Sequence, residues 1–277
     1  MIAVALALGA SLCWGVGDFL GGVSSRRLPT FTVLVLSQVA GLAAVGVLVA
    51  AAADGPPGAT ALGFAAGAGV GGLVGLAALY RGMAVGAIAI VAPISSASAV
   101  VPFAVGLARG ERPSALQLAG IGVVLAGVAL TSHERGPTGP RLAAGVGLAV
   151  LAALGFGLYF VFIDEAADAS QLWAVLVARA AASAVALAVV ALRSGSFSFG
   201  VRDIPVLALI GLFDVGANVL LAAALTRGLV SVVPVLSSLY PVTTVLLARA
   251  VLGERVERAQ QGGIVLAFGG VGMISGG

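Results

Sequence analysis

Runs of more than about 18 hydrophobic residues recur from one end of the chain to the other, and no other feature restricts its fold so tightly. A soluble domain keeps about a quarter of its residues charged so that its surface faces water. Here only 9% are charged and 60% are hydrophobic. A membrane β-barrel would show alternating segments of about ten residues, and this sequence has none. The expectation is an all-α polytopic membrane protein. Spans separated by turn and charge signals fall near residues 2–23, 31–52, 60–80, 84–107, 115–132, 142–163, 171–192, 204–226, 228–250 and 259–275. Ten spans of about 20 residues leave short loops and no room for a soluble domain.

The residue inventory excludes several chemistries. One cysteine, Cys13, rules out an intrachain disulfide and says nothing of redox compartment. The single histidine, His133, cannot join a Cys/His zinc set, and HERG at 133–136 lacks the second histidine of a zincin. All fourteen basic residues are arginine, so a Walker lysine is impossible; GC-rich coding accounts for the bias. The net charge of +3 is scattered through short loops, which speaks against a nucleic-acid partner. No metal or other cofactor is expected. MIAVALALGASLCWG lacks a basic leader and runs into Asp18, so it reads as a first transmembrane helix and not a cleaved signal peptide.

The two halves of the chain match. ASLCWG (10–15) pairs with AALGFG (152–157) at a shift of 142, which sets Trp14 opposite Phe156. LYRG (79–82) pairs with LTRG (225–228) at 146. GER (110–112) pairs with GER (253–255), Gln117 with Gln260, Gly120 with Gly263 and Gly127 with Gly270, all at 143. An ordered series with nearly constant offset marks a tandem repeat. The expected units are 1–132 and 142–277, joined by a central loop at 133–141 where Pro137 and Pro140 punctuate. Five helices per unit is an odd number, so equivalent helices must cross the membrane in opposite directions. Inverted repeats of this kind are a common plan of secondary transporters.

The fourth span of each unit is interrupted in the same way. VAPISSASAVVP (91–102) and VVPVLSSLYP (232–241) each carry two prolines and a serine pair. Pro93, Pro102, Pro234 and Pro241 free backbone carbonyls, while Ser95, Ser96, Ser237 and Ser238 offer hydroxyls near mid-membrane. Matching interrupted segments point to a central binding site. The plainer alternative is that the prolines shape packing and the serines bond back to their own backbone. Gly63, Gly67, Gly71 and Gly75 in the third span, and Gly17 and Gly21 in the first, are spaced for close helix approach.

CWG in the first span, SSLYP in the ninth and the twice-occurring GER followed by Q…G resemble the EamA-type transporters of the drug/metabolite transporter superfamily. The resemblance covers essentially the whole chain as two EamA-like units, and VLGERVERAQQGGIVLAFGGV (251–271) carries it best. The first unit departs from it: Ser98-Ala99 stands where the second has Tyr240-Pro241, after a connection three residues longer. The resemblance implies export or exchange of small metabolites, amino acids or drug-like compounds through a cavity formed by inner helices of both units.

An ionisable residue inside a span costs at least about 2.5–3.5 kcal/mol on insertion scales, so each is a functional candidate. Asp18, Arg179 and Asp214 qualify, with Gln38, Tyr80, Asn218 and Tyr240 as weaker polar company. Trp14 and Asp18 share one helical face, as do Asp214 and Asn218. Asp18 can equally be an interfacial carboxylate paired with Arg26 or Arg27. Arg179 and Asp214, near the centres of consecutive spans, are expected to pair at mid-membrane. The pair either locks two helices or acts in transport, by yielding Arg179 to an anionic substrate group or by protonation of Asp214 that couples transport to a proton gradient. The candidate substrate-binding set is Trp14, Asp18, Ser95, Ser96, Arg179, Asp214, Asn218, Ser237, Ser238 and Tyr240.

The leading function is a secondary active transporter of a small-molecule substrate in the cell (plasma or inner) membrane, in contact with membrane lipid. The alternatives are a membrane enzyme acting on a lipid-linked substrate and a non-transporting membrane subunit. Against the enzyme stands the lack of any dense set of acids, histidines or lysines beyond Asp164, Glu165 and Asp168, read here as a loop. Oligomeric state has no signature in the sequence. Odd-numbered connections hold ten arginines and even-numbered ones three, which puts both termini outside the cell, whereas the resemblance implies termini inside.

Overall fold

The computed structural model describes residues 1–25, 27–85, 95, 97–131, 141–193, 199–252 and 258–276. Among them all regular structure is helical. The α-helices are α1 (Ile2–Ser25), α2 (Thr30–Ala52), α3 (Ala59–Val85), α4 (Val100–Ala108), α5 (Ala115–Thr131) and α6 (Arg141–Ala167). They continue as α7 (Gln171–Arg193), α8 (Ile204–Leu225), α9 (Val233–Ser237), α10 (Tyr240–Leu252) and α11 (Arg258–Gly276). Single 3-10 turns, Ala97–Ala99 and Val201–Asp203, lead into α4 and α8.

Six of the helical stretches are long and apolar enough to cross a membrane: Ile2–Ser24, Phe31–Ala52, Ala59–Leu79, Gly147–Ala167, Gln171–Val189 and Val201–Leu225. Ala97–Ala108 and Ala115–Leu130 are shorter and also apolar. The outer surface is as greasy as the core. Leu12, Val47, Leu154, Val265 and Phe268 are exposed while Val45, Ile163, Leu221 and Val235 are fully buried. An outward-facing apolar shell of that extent suits lipid, where a helix satisfies every backbone group internally.

The main packing partners are α3 with α6, α1 with α8, and α5 with α11; α2 and α3 both lie against α7, and α2 also against α8. Glycine permits the closest of these approaches. A Cβ at Gly155 of α6 would stand 2.7 Å from the Gly75 nitrogen and 2.8 Å from the Gly71 carbonyl of α3. One at Gly69 would stand 2.0 Å from the Ala178 carbonyl of α7. The glycine stripe expected on α3 is thus used at Gly67, Gly71 and Gly75, but Gly63 faces open space.

Three boundaries differ from the sequence expectation. The span expected at 228–250 is two helices, α9 and α10, separated at Ser238-Leu239. Pro234 and Pro241 are the second residues of these helices, where a missing N–H and a fixed φ favour starting a helix over kinking one. Pro102 likewise lies in the first turn of α4; Pro93 and the rest of residues 86–94, with residue 96, fall outside the described residues. Finally α6 runs on to Ala167, so Asp164 and Glu165 sit in its last turns and not in a loop. Both carboxylates pair there with Arg109, Asp164 at 3.1 Å. These pairs explain why the helix can carry two acids so late.

Candidate functional site

At mid-bundle the inner helices do not close on one another, and they leave a cavity that is partly open to its surroundings. α1 contributes Trp14 and Asp18, α2 Gln38, α6 Phe156, Tyr159 and Phe160, α7 Arg179, and α8 Asp214 and Asn218. The interrupted segments contribute Ser98 and Tyr240. Leu73, Leu76 and Leu79 of α3 form an apolar wall. The mix of aromatic walls with a few polar groups suits a small organic ligand.

The polar groups form one network. Arg179 pairs with Oδ2 of Asp214 and donates from Nη1 to Oε1 of Gln38. Oδ1 of Asp214 accepts from the Trp14 indole at 3.1 Å and from Nδ2 of Asn218 at 3.2 Å. Nδ2 of Asn218 also donates to the Asp214 carbonyl at 2.6 Å, one turn back along α8, and Oδ1 of Asn218 accepts from the Tyr159 hydroxyl. The expected mid-span pair of Arg179 and Asp214 is therefore present, and five helices meet at it. Arg179 is 8% exposed, and a guanidinium so deep persists because each acceptor around it is anionic or well placed.

Asp18 lies one turn beyond Trp14 on the same face of α1 and lines the same cavity. No described residue gives it a hydrogen bond or a counter-ion. Arg27, one of the two partners considered for it, is exposed, and Arg26 lies outside the described residues. Trp14 packs edge to face on Phe160, at 6.1 Å between ring centroids, and on Tyr240, at 6.5 Å.

The serines go elsewhere. Ser237 is fully buried and its hydroxyl donates to the Ala7 carbonyl at 3.5 Å, while Ser238 donates to the Val235 carbonyl at 2.8 Å. Both hydroxyls are spent on backbone, as short hydroxyl side chains near a helix break tend to be. Ser95 is fully buried and not on the cavity wall, and Ser96 is outside the described residues. Ser98 lines the cavity in their place. Its position follows from a close contact: a Cβ at Gly157 would stand 3.1 Å from the Ser98 carbonyl and 2.5 Å from Val101. A Cβ at Gly15 would stand 2.9 Å from the Tyr240 carbonyl and 2.4 Å from Thr243. The two sets of residues differ by 142 throughout.

Gln38, Tyr159 and Ser98 belong to the site and were not in the candidate set. Gln38 had a signal, since it lies 141 residues before its partner Arg179, close to the repeat offset. Tyr159 had none, because a lone tyrosine in an apolar run reads as packing.

One end of the bundle is tied together. Besides the Arg109 pairs, Glu111 accepts from the backbone N–H groups of Val230 at 2.8 Å and Ser231 at 2.9 Å. Gln171 at the start of α7 donates to Thr226 at the end of α8 at 2.8 Å. The Trp173 indole donates to the Asp54 carbonyl at 3.1 Å.

The family described as the EamA-like transporter family matches residues 1–133 and again 143–276. No curated protein shows significant similarity to the sequence. A crystal structure of another protein superposes with a TM-score of 0.80 at 21% sequence identity, covering 98% of this chain and 95% of that one. At that identity the likeness concerns the fold alone.

Proposed function

The chain belongs to the EamA-like transporter family, and on that premise we propose that it is a secondary active transporter which exports or exchanges a small organic molecule by alternating access about the central cavity. The observation that carries this reading is the Arg179–Asp214 pair, held in the cavity wall by α1, α2 and α8. A charge pair at that depth is costly to keep in a protein that only needs packing. Protonation of Asp214 would release Arg179, which makes protons the proposed coupling ion.

The proposed architecture is ten spans in two inverted five-helix units, 1–132 and 142–277. Reciprocal packing supports it. If the first unit maps onto the second, α1 corresponds to α6 and α3 to α8, so the contact of α1 with α8 becomes that of α6 with α3. The contacts of Gly15 with Tyr240 and Thr243 become those of Gly157 with Ser98 and Val101. The α5–α11 contact maps onto itself, Gly120 against Gly270 and Gly127 against Gly263. The proposed location is the plasma or inner membrane.

Reconstitution of the full chain into proteoliposomes loaded with a mixed metabolite and amine pool tests the function. Counterflow of at least one solute, saturable and absent from protein-free vesicles, is the expected result. Equal leakage from both kinds of vesicle, for every solute, removes the transport reading.

A further inference from the structure

Among the described residues, the charges that line the cavity do not balance. Three formally charged side chains line it, Asp18, Arg179 and Asp214. Arg179 and Asp214 cancel; Arg179 donates further to Gln38, and Asp214 accepts further from Trp14 and Asn218. That leaves the Asp18 carboxylate, with no counter-ion among the described residues, facing the same space. An unpaired charge inside a membrane span is costly and is normally matched by a partner or by water in a cavity.

From this imbalance we infer that the substrate is an organic ammonium ion with an apolar body, and that Asp18 holds its charged nitrogen. The inference rests on the transport reading above and names the substrate class of that site. The surroundings of Asp18 suit such an ion. Trp14 stands one turn away on α1, and its ring meets those of Tyr240 and Phe160 edge to face, so aromatic faces border the site. Aromatic faces attract cations, most strongly where water is scarce. The leucine wall of α3 offers the apolar body a matching surface. A free carboxylate on the substrate would have to compete with Asp214 for the guanidinium that already neutralises it. Selection therefore works by mismatch as well as by attraction: anions are repelled by Asp18 and zwitterions leave one charge unmatched.

A set of four compounds with one aromatic body tests this: phenethylammonium, phenylalanine, phenylpropionate and phenethyl alcohol. Their binding to the purified full chain in detergent is measured by calorimetry, with proteoliposome flux measured on the same preparations. The ammonium is expected to bind at least about tenfold more tightly than any of the other three. Asp18→Asn should erase that preference with an unchanged melting temperature, and Asp18→Glu should keep it. Tighter binding of the acid or the amino acid, an Asp18→Asn protein that keeps its preference for the ammonium, or binding of none of the four overturns the inference. Should Asp18→Asn fail to fold, the wild-type ranking and the Asp18→Glu protein decide. Ammonium binding without flux would instead count against the transport reading, and flux of an anion without ammonium binding would leave that reading standing alone.

Discussion

Arg179 reaches Asp214 through Oδ2 only, and this leaves Oδ1 free to accept from the indole of Trp14 and the amide of Asn218. One carboxylate thereby joins α1, α7 and α8. Removing either charge strands the other, Arg179 in a buried position and Asp214 in a half-buried one. Arg179→Leu or Asp214→Leu alone should cost about 3–5 kcal/mol, and the double replacement considerably less. Unfolding of the purified proteins in detergent measures these costs. Flux should be lost in all three, and a double variant that transports at the wild-type rate would reduce the pair to a helix lock.

Two glycines six residues apart on α3, Gly63 and Gly69, should respond differently to a methyl group. Gly69→Ala places a Cβ 2.0 Å from the Ala178 carbonyl, and forcing α3 from α7 should cost about 1–3 kcal/mol. Gly63→Ala meets nothing within 4 Å and should stay within about 0.5 kcal/mol of the parent. Melting temperatures of the two variants rank them, and equal losses would contradict the packing described.

At the tied end of the bundle, the acceptor for two buried residues' N–H groups should outweigh the exposed ion pairs. Glu111→Ala leaves the Val230 and Ser231 N–H groups without an acceptor and should cost about 1–3 kcal/mol for each donor left bare. Arg109→Ala removes two pairs from a side chain that is 40% exposed, which solvent screening holds to about 0–1 kcal/mol. A larger loss at Arg109 than at Glu111 in the same melting assay would reverse this order.

The distribution of arginine predicts orientation. Arg109, Arg112 and Arg227 belong to the sparse set of connections, and ten others to the rich set. With the rich set in the cytoplasm, a periplasm-active reporter fused after Gly277 should work and a cytoplasm-active one should not. The opposite pattern would favour the orientation that the family resemblance implies.

Much of the fold was legible because lipid imposes it: a span must be long, apolar and helical, and the offset between halves survives in motifs such as GER. The pairing of Arg179 with Asp214 was legible because a charge at mid-span has few affordable fates. Less legible was where hydroxyls point. Ser237 and Ser238 read as ligands by composition, yet their hydroxyls bond backbone carbonyls, Ala7 in α1 and Val235 at the helix break. Ser98 was hidden because its role comes from its register against Gly157, a contact between distant segments with no local signature. Tyr159 was hidden because its significance lies in the Asn218 side chain it reaches, 59 residues away.

Tyr240 and Ser98 occupy corresponding places against Gly15 and Gly157, one a bulky ring and the other a single hydroxymethyl. Under the proposed inverted repeat, identical halves would make the inward-facing and outward-facing forms equal in energy, and the carrier would idle evenly between them. The tyrosine breaks that degeneracy. Under that repeat a ring lines the cavity on one side and a hydroxymethyl on the other, so the two empty forms would differ in energy. Ser98→Tyr would match the two sides of the cavity at this place and bring the two forms closer to parity.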